Sequence, residues 1–197
     1  MSIRIIGGTA KGFSLRVPSE SITRPTSVLL KRRLFDYYQN LNGFYFIDLC
    51  AGSGSVGFEA LSRGASAVLL IEKSNKAFKI LSTNLDNFKN KFPELKNDIN
   101  LEKIDFCFWF KKFKTFYHQL KDEEKKKIIL FFDPPYENIM LYKKFFKEVH
   151  DISYIGIVVV EACCQKTMTG EEFILEFGKP SRNYRQGTSF LYLYDYN

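Results

Sequence analysis

Asp133-Pro134-Pro135-Tyr136 follows a run of five apolar residues, Ile128 to Phe132. A strand that is apolar throughout is covered on both faces, and prolines cannot continue it. A carboxylate, two stiff residues and an aromatic ring are thus delivered together at a strand's end. Those residue types suit chemistry on a planar amino nitrogen, whose lone pair is conjugated into its ring and is a poor nucleophile. Asp133 and the Pro134 carbonyl can accept its two N–H hydrogens, turn the lone pair towards an electrophile and favour sp3 character as a bond forms. Tyr136 offers a face on which a base extruded from its stack can rest. The plain alternative is a strand-ending turn with Asp133 bonded locally.

A second stretch, Asp48-Leu49-Cys50-Ala51-Gly52-Ser53-Gly54-Ser55-Val56-Gly57, lies between a strand and a helix. Glycines let the backbone approach a ligand closely, and Glu72 ends the following strand, where a carboxylate can hold both hydroxyls of a ribose. Gly52, Gly54 and Gly57 also fit the dinucleotide fingerprint. Asp48 argues otherwise, because a carboxylate beside the loop repels a pyrophosphate and suits the ammonium group of a methionine moiety. The loop therefore favours S-adenosylmethionine over NAD, with a ligand-free strand-to-helix turn as the third reading.

Both stretches need a frame, and the alternation of patterns supplies one. Ile3 to Ile6 and Phe13 to Val17 read as a hairpin, followed by a helix from about Ser27 to Asn40 capped by Thr26 or Ser27. Strands are expected at 44–49, 67–71, 99–103, 128–132 and 155–160, with helices at 56–63, 74–88, 106–120 and 139–149 between them. Phe173 to Phe177 and Thr188 to Tyr194 read as a closing antiparallel hairpin. The expected fold is α/β, a mostly parallel seven-stranded sheet with helices on both faces, whose ligands bind outside the carboxyl ends of the strands. Residues 1–42 form an amino-terminal extension and residues 43–197 a single compact domain.

Charge is unevenly spread. Residues 1–33 hold Arg4, Lys11, Arg16, Arg24, Lys31, Arg32 and Arg33 against Glu20 alone, which is +6 of the total +7. A one-signed block on an otherwise balanced chain suggests a polyanion-binding face, with a merely solvated surface as the alternative. Cys50, Cys107, Cys163 and Cys164 lack zinc spacing and His118 and His150 are isolated, so reduced thiols and no metal are expected. No apolar run approaches a membrane span, and the amino terminus reads as neither signal nor transit peptide, which predicts a cytoplasmic protein. Trp109, Phe108, Phe110 and Phe113 read as core packing, Lys125 to Lys127 as a solvated loop, and Glu161 as a residue near the cleft that could join the site.

Taken together, these residues resemble the bacterial 16S ribosomal RNA guanine-N2 methyltransferases, within the Rossmann-like S-adenosylmethionine-dependent class. The resemblance runs through Arg4-Ile5-Ile6-Gly7-Gly8 with Gly12, Arg24-Pro25-Thr26 with Leu34-Phe35, Asp48 to Gly57 and on to Ala65, then Glu72, Asn84, Asp105 and Asp133 to Tyr136. The last motif is shared with adenine methyltransferases, and the first two narrow the choice. The resemblance implies that Asp48, Ala51, Gly52, Ser53 and Gly54 receive the methionine part of the cofactor, Glu72 with Lys73 its ribose, and Asp105 with Phe106 its adenine. Asp133, Pro134 and Tyr136 would hold the guanine. Arg4, Lys11, Arg24, Thr26, Lys31, Arg32 and Arg33 would dock the RNA, aided by Lys179, Arg182 and Arg185. The implied partner is 16S rRNA in the small ribosomal subunit or its assembly intermediate, met by a monomer.

The chain departs from the family at Val28, Leu29 and Arg32, where an acidic, a basic and a glutamate residue are usual, which shifts the amphipathicity of the first helix. Its Tyr184-Arg185-Gln186-Gly187-Thr188 connection is also one residue longer. An adenine-N6 methyltransferase acting on DNA or RNA, and a non-catalytic RNA-binding assembly protein, remain the other readings.

Overall fold

The structure, a computed structural model, describes residues 2–17, 25–95, 98–163 and 168–197, and the side chains of all of these except 25–27. Two short strands, β1 (Ser2–Arg4) and β2 (Ser14–Arg16), pair antiparallel and lead to helix α1 (Pro25–Tyr37). The cap expected at Thr26 or Ser27 lies outside the described side chains. Then follow β3 (Tyr45–Asp48), α2 (Ser55–Ser62), β4 (Ala67–Ile71), α3 (Asn75–Lys91), β5 (Ile99–Glu102) and α4 (Phe106–Gln119). After these come α5 (Asp122–Lys125), β6 (Ile128–Phe132), α6 (Ile139–Asp151), β7 (Ile157–Cys163), α7 (Gly170–Phe177), β8 (Arg182–Gln186) and β9 (Ser189–Asp195). The main sheet has seven strands in the order β5-β4-β3-β6-β7-β9-β8. Its first five are parallel, whereas β9 runs antiparallel to both β7 and β8.

The continuous apolar strand has its reason in this layering. Side chains alternate across a strand, and β6 sends Ile129 and Phe131 to a core shared with Phe46, Val68 and Phe58. It sends Ile128, Leu130 and Phe132 to a second core with Phe110, Tyr142 and Phe145. Phe132 and Phe145 stack with centroids 4.3 Å apart. Trp109, Phe110 and Phe113 are buried in that second core, while Phe108 on the same helix is exposed.

Two expectations are corrected. Phe173 to Phe177 is helix, not strand: Thr169 Oγ1 accepts from Glu172 N at 3.2 Å and Glu172 Oε2 accepts from Thr169 N at 2.7 Å, a capping box that starts α7. Phe173 and Phe177 then lie one turn apart and pack together, and the closing hairpin is made by β8 and β9 instead. The acidic stretch before Lys126 likewise forms the short α5, where Lys121 N donates to Glu124 Oε2 at 2.8 Å.

The extension is fastened to the sheet domain by buried polar groups. Glu59 on α2, fully enclosed, accepts from Ile6 N at 2.7 Å, Gly7 N at 2.9 Å and Arg63 Nε at 2.9 Å. Gly8 has φ 73° and passes so close to Ser62 that a Cβ would meet the Ser62 carbonyl oxygen at 1.7 Å. On α3, Asn84 accepts from Arg16 N at 2.9 Å and donates to the carbonyls of Arg16 and Ser53, each at 2.9 Å. One amide thus ties β2 to the loop after β3. No helix among the described residues is long and apolar enough to cross a membrane.

Removing Glu59 leaves two backbone donors and the Arg63 Nε–H without their acceptor, each at a cost of about 1–3 kcal/mol, while the guanidinium keeps its bond to the Phe35 carbonyl. Glu59→Ala is therefore expected to lower stability by about 3 kcal/mol or more and to speed amide exchange at Ile6 and Gly7, as read by chemical denaturation and hydrogen exchange.

Candidate active site

Parallel strands end their carboxyl termini at one rim, and that rim carries the site. β3 ends at Asp48, and the chain turns through Gly52 (φ 55°) and Gly54 (φ 84°), a left-handed conformation suited to glycine, before α2 begins. A Cβ on Gly54 would strike Phe58 at 2.5 Å, and one on Gly57 would strike Leu70 at 2.2 Å. The first contact keeps the loop tight and the second lets α2 lie close on β4. Glu72 fixes the loop from the next strand, accepting from Gly52 N at 2.8 Å and from Ser74 N at 2.7 Å. Its oxygens have further lone pairs for hydroxyl donors.

Two hollows open at the rim, of about 280 and 360 Å³, and Cys50 and Asp133 line both. The larger is bordered by Glu72, Lys73, Ile104, Phe106, Pro134 and Tyr136. Phe106 presents its ring edge-on to Phe132, with centroids 5.0 Å apart. Asp105 does not line that hollow: it caps α4 by accepting from Cys107 N at 2.9 Å and meets Lys73 Nζ at 3.3 Å. The smaller hollow holds Asp48, Ala51, Gly52, Ser53, Asp133 and Glu161, and its apolar wall is Ile3, Val17, Val28 and Leu34 of the extension.

Besides Glu72, three carboxyl groups crowd this rim. Burial first, and then Asp133 close by, push Asp48 up to about 8, against the pull of the Cys50 and Gly57 N–H groups. Burial raises Asp133 to about 7, with the Tyr136 hydroxyl acting against it. Burial and Asp133 also raise Glu161 well above the carboxylate range. The Tyr136 hydroxyl donates to Glu161 Oε1 at 2.8 Å. Burial and both carboxylates push Tyr136 far up, so it stays a neutral donor.

The expected basic face is split. Arg4, Lys11, Arg32 and Arg33 are exposed, Arg24 lies outside the described residues, and the Thr26 side chain is not described. Lys31 is 7% exposed and lines the smaller hollow with Asp133 and Glu161. This corrects its expected place among surface cations: Lys31 shares the buried stripe of Leu30, Leu34 and Phe35, a one-turn spacing that the sequence displays. Exposed Arg182 stacks its guanidinium over the Tyr37 ring at 4.6 Å and so extends the basic surface to β8. The Tyr136–Glu161 bond and the Asn84 bridge had no local signal, because they join residues 25 to 68 positions apart.

S-adenosylmethionine is the cofactor that these features imply, and the residues fit it. Asp48, 2% exposed, has an Oδ1 without a hydrogen-bond partner among the described residues, an acceptor ready for an ammonium group. Since the folded chain holds a proton on Asp48 up to about pH 8 and the unfolded chain releases it near 3.8, this carboxyl erodes stability as pH rises between those values. Asp48→Asn is expected to raise the melting temperature at pH 8 more than at pH 5 and to weaken S-adenosylhomocysteine binding, measured by thermal denaturation and calorimetry.

Comparison with known proteins agrees with this geometry. Ribosomal RNA small subunit methyltransferase D of Escherichia coli K12 is 39% identical over 88 residues, 44% of each chain. The protein of the same name from Buchnera aphidicola of Acyrthosiphon pisum is 27% identical over 155 residues, 74% of this chain and 73% of the relative. The match thus spans under half the length of the E. coli relative. Among solved structures, a Thermus thermophilus protein described as hypothetical superposes with TM-score 0.70 at 22% identity, over 98% of this chain and 99% of that one. A SAM-dependent methyltransferase of Neisseria gonorrhoeae superposes with TM-score 0.57 at 16% identity, over 99% and 78%. These two likenesses establish the Rossmann-like methyltransferase fold. With a family model matching residues 3–194, the chain belongs to the family described as conserved hypothetical protein 95.

Proposed function

We propose that this protein methylates the exocyclic N2 of a guanine in 16S rRNA, in the cytoplasm, on the small ribosomal subunit or its assembly intermediate. The observation that carries the reading is Asp133, a hydrogen-bond acceptor at the junction of the two hollows. The names of the rRNA methyltransferase relatives support it. S-adenosylmethionine supplies an electrophilic methyl group on a positively charged sulfur. Asp133 and the Pro134 carbonyl accept the two N2 hydrogens and aim the nitrogen lone pair, and Tyr136 rests against the base. Once N2 carried the methyl group that the cofactor would supply, the nitrogen would turn acidic and its proton would leave towards Asp133 or water. Asp48, Ala51 and the Gly52 to Gly54 loop hold the methionine end, Glu72 and Lys73 the ribose, and Phe106 the adenine. Residues 1–42 serve as the RNA-docking extension, through Arg4, Lys11, Arg32 and Arg33.

The test is transfer of labelled methyl to unmodified small subunits, protein-free 16S RNA and duplex DNA, with nucleoside analysis. N2-methylguanosine is the expected product, and Asp133→Ala is expected to lower kcat by about 100-fold or more while S-adenosylhomocysteine still binds. Label in duplex DNA would replace this reading with an adenine methyltransferase, and subunit binding without any transfer would point to an assembly protein. Because the accepting form of Asp133 is the carboxylate, the rate should rise with pH through the region near 7, and Asp133→Asn should flatten that profile.

A further inference from the structure

The methyl-transfer reading gives Asp48, Glu72 and Asp133 their parts and leaves one buried carboxyl at the rim unused. Glu161, 4% exposed, sits on β7, every residue of which is buried. Its backbone carbonyl accepts from the Tyr142 hydroxyl of α6 at 3.0 Å. Glu161 therefore belongs to the packed centre of the sheet. Tyr136 does not: it lies in the loop between β6 and α6, flanked by exposed Pro135 and Glu137. A hydrogen bond crosses from that loop to the strand, from the Tyr136 hydroxyl to Glu161 Oε1 at 2.8 Å. The same hydroxyl lies close enough to Asp133 to draw that carboxyl down, so the bond also sets the ring's place relative to Asp133.

We infer, on the basis of the proposed methyl transfer, that Glu161 is a positioning residue: its carboxyl holds the Tyr136 ring in the place where the extruded base comes to rest. A loop side chain left to rotate must be ordered when the base arrives, and that cost weakens binding of the base. Anchored by its hydroxyl, the ring is ordered beforehand. The proton on Glu161 suits this part. Burial and Asp133 keep the carboxyl protonated, so it offers Tyr136 an uncharged acceptor and adds no further negative charge beside Asp133. A glutamine would present the same carbonyl acceptor, with an N–H donor where the acid carries its O–H. A leucine would fill similar space and present neither. Glu161 acts through Tyr136 rather than on the base.

The test is a mutant cycle read as kcat/KM for methyl transfer to small subunits. Glu161→Leu and Tyr136→Phe are each expected to lose about ten-fold, and the double variant no more than either alone, because both remove the same bond. Glu161→Gln should stay within about three-fold of the wild type. S-adenosylhomocysteine affinity should be unchanged in every variant, which separates positioning from a general structural loss. Independently of turnover, NMR relaxation of carbon-13-labelled tyrosine, without RNA, should find the Tyr136 ring ordered in the wild type and Glu161→Gln and mobile in Glu161→Leu. Losses that add in the double variant would overturn the inference. So would a glutamine variant as slow as the leucine one, losses matched by weaker S-adenosylhomocysteine binding, or a ring equally ordered in all three proteins. Should Glu161→Leu not fold, Tyr136→Phe decides: the ten-fold loss supports the bond's part, and the wild-type rate overturns it. A wild type that makes no N2-methylguanosine, with its Tyr136 ring still ordered by Glu161, would instead bring down the methyl-transfer reading on which the inference rests.

Discussion

Parallel strand pairing forces like charges together at the rim of this sheet. Asp48 stands opposite Phe131 and Phe132 opposite Val160, so Asp133 and Glu161 leave the sheet level with each other while Asp48 lies two residues further in, on three neighbouring strands. Strands lie about 4.8 Å apart, too close for buried carboxylates to ionise independently. The surroundings answer this repulsion. Protons are held on the carboxyl groups far above their usual range, and the Tyr136 hydroxyl bonds one of them. A cationic cofactor, and in the proposed reaction a base rich in N–H donors, would supply what remains. The site is least content when empty, and its ligands are those that relieve it.

The second constraint is that the sheet alone cannot close the site. Its rim is open above β3, β6 and β7, and the extension provides the missing wall with Ile3, Val17, Val28 and Leu34. Val28 falls where the chain departs from the family pattern, and it faces this hollow while remaining 41% exposed. Glu59, Ser62 and Asn84 hold that wall in place through backbone groups, so its position depends little on which side chains the extension carries.

The sequence was most legible where local pattern and burial agree. The strands at Ala67–Ile71 and Ile128–Phe132 were readable to the residue because both faces are covered and every position is apolar. The glycine loop was readable because only glycine tolerates those turns and close approaches. Phe173 to Phe177 misled because its residue types favour strands, and the deciding cue, Thr169 three residues before Glu172, acts through a cap. Lys31 misled differently. Its neighbours Arg32 and Arg33 suggested one basic run, but a helix turns adjacent residues about 100° apart, and the buried side of α1 took the lysine. The bond from Tyr136 to Glu161 and the Asn84 bridge belong to tertiary geometry, which no local pattern encodes.

The shared construction of the smaller hollow bears on how such a protein can be inherited and rebuilt. A pocket whose floor comes from the sheet and whose wall comes from the first residues of the chain is not a module. Grafting this hairpin and helix onto another sheet of the same fold would transplant the cationic surface and the wall, but not the carboxyl groups that the wall faces. Substitutions at Val17, Val28 or Lys31 and at Ser53, Glu161 or Leu191 should therefore drift in concert, since each side sets the shape against which the other must fit.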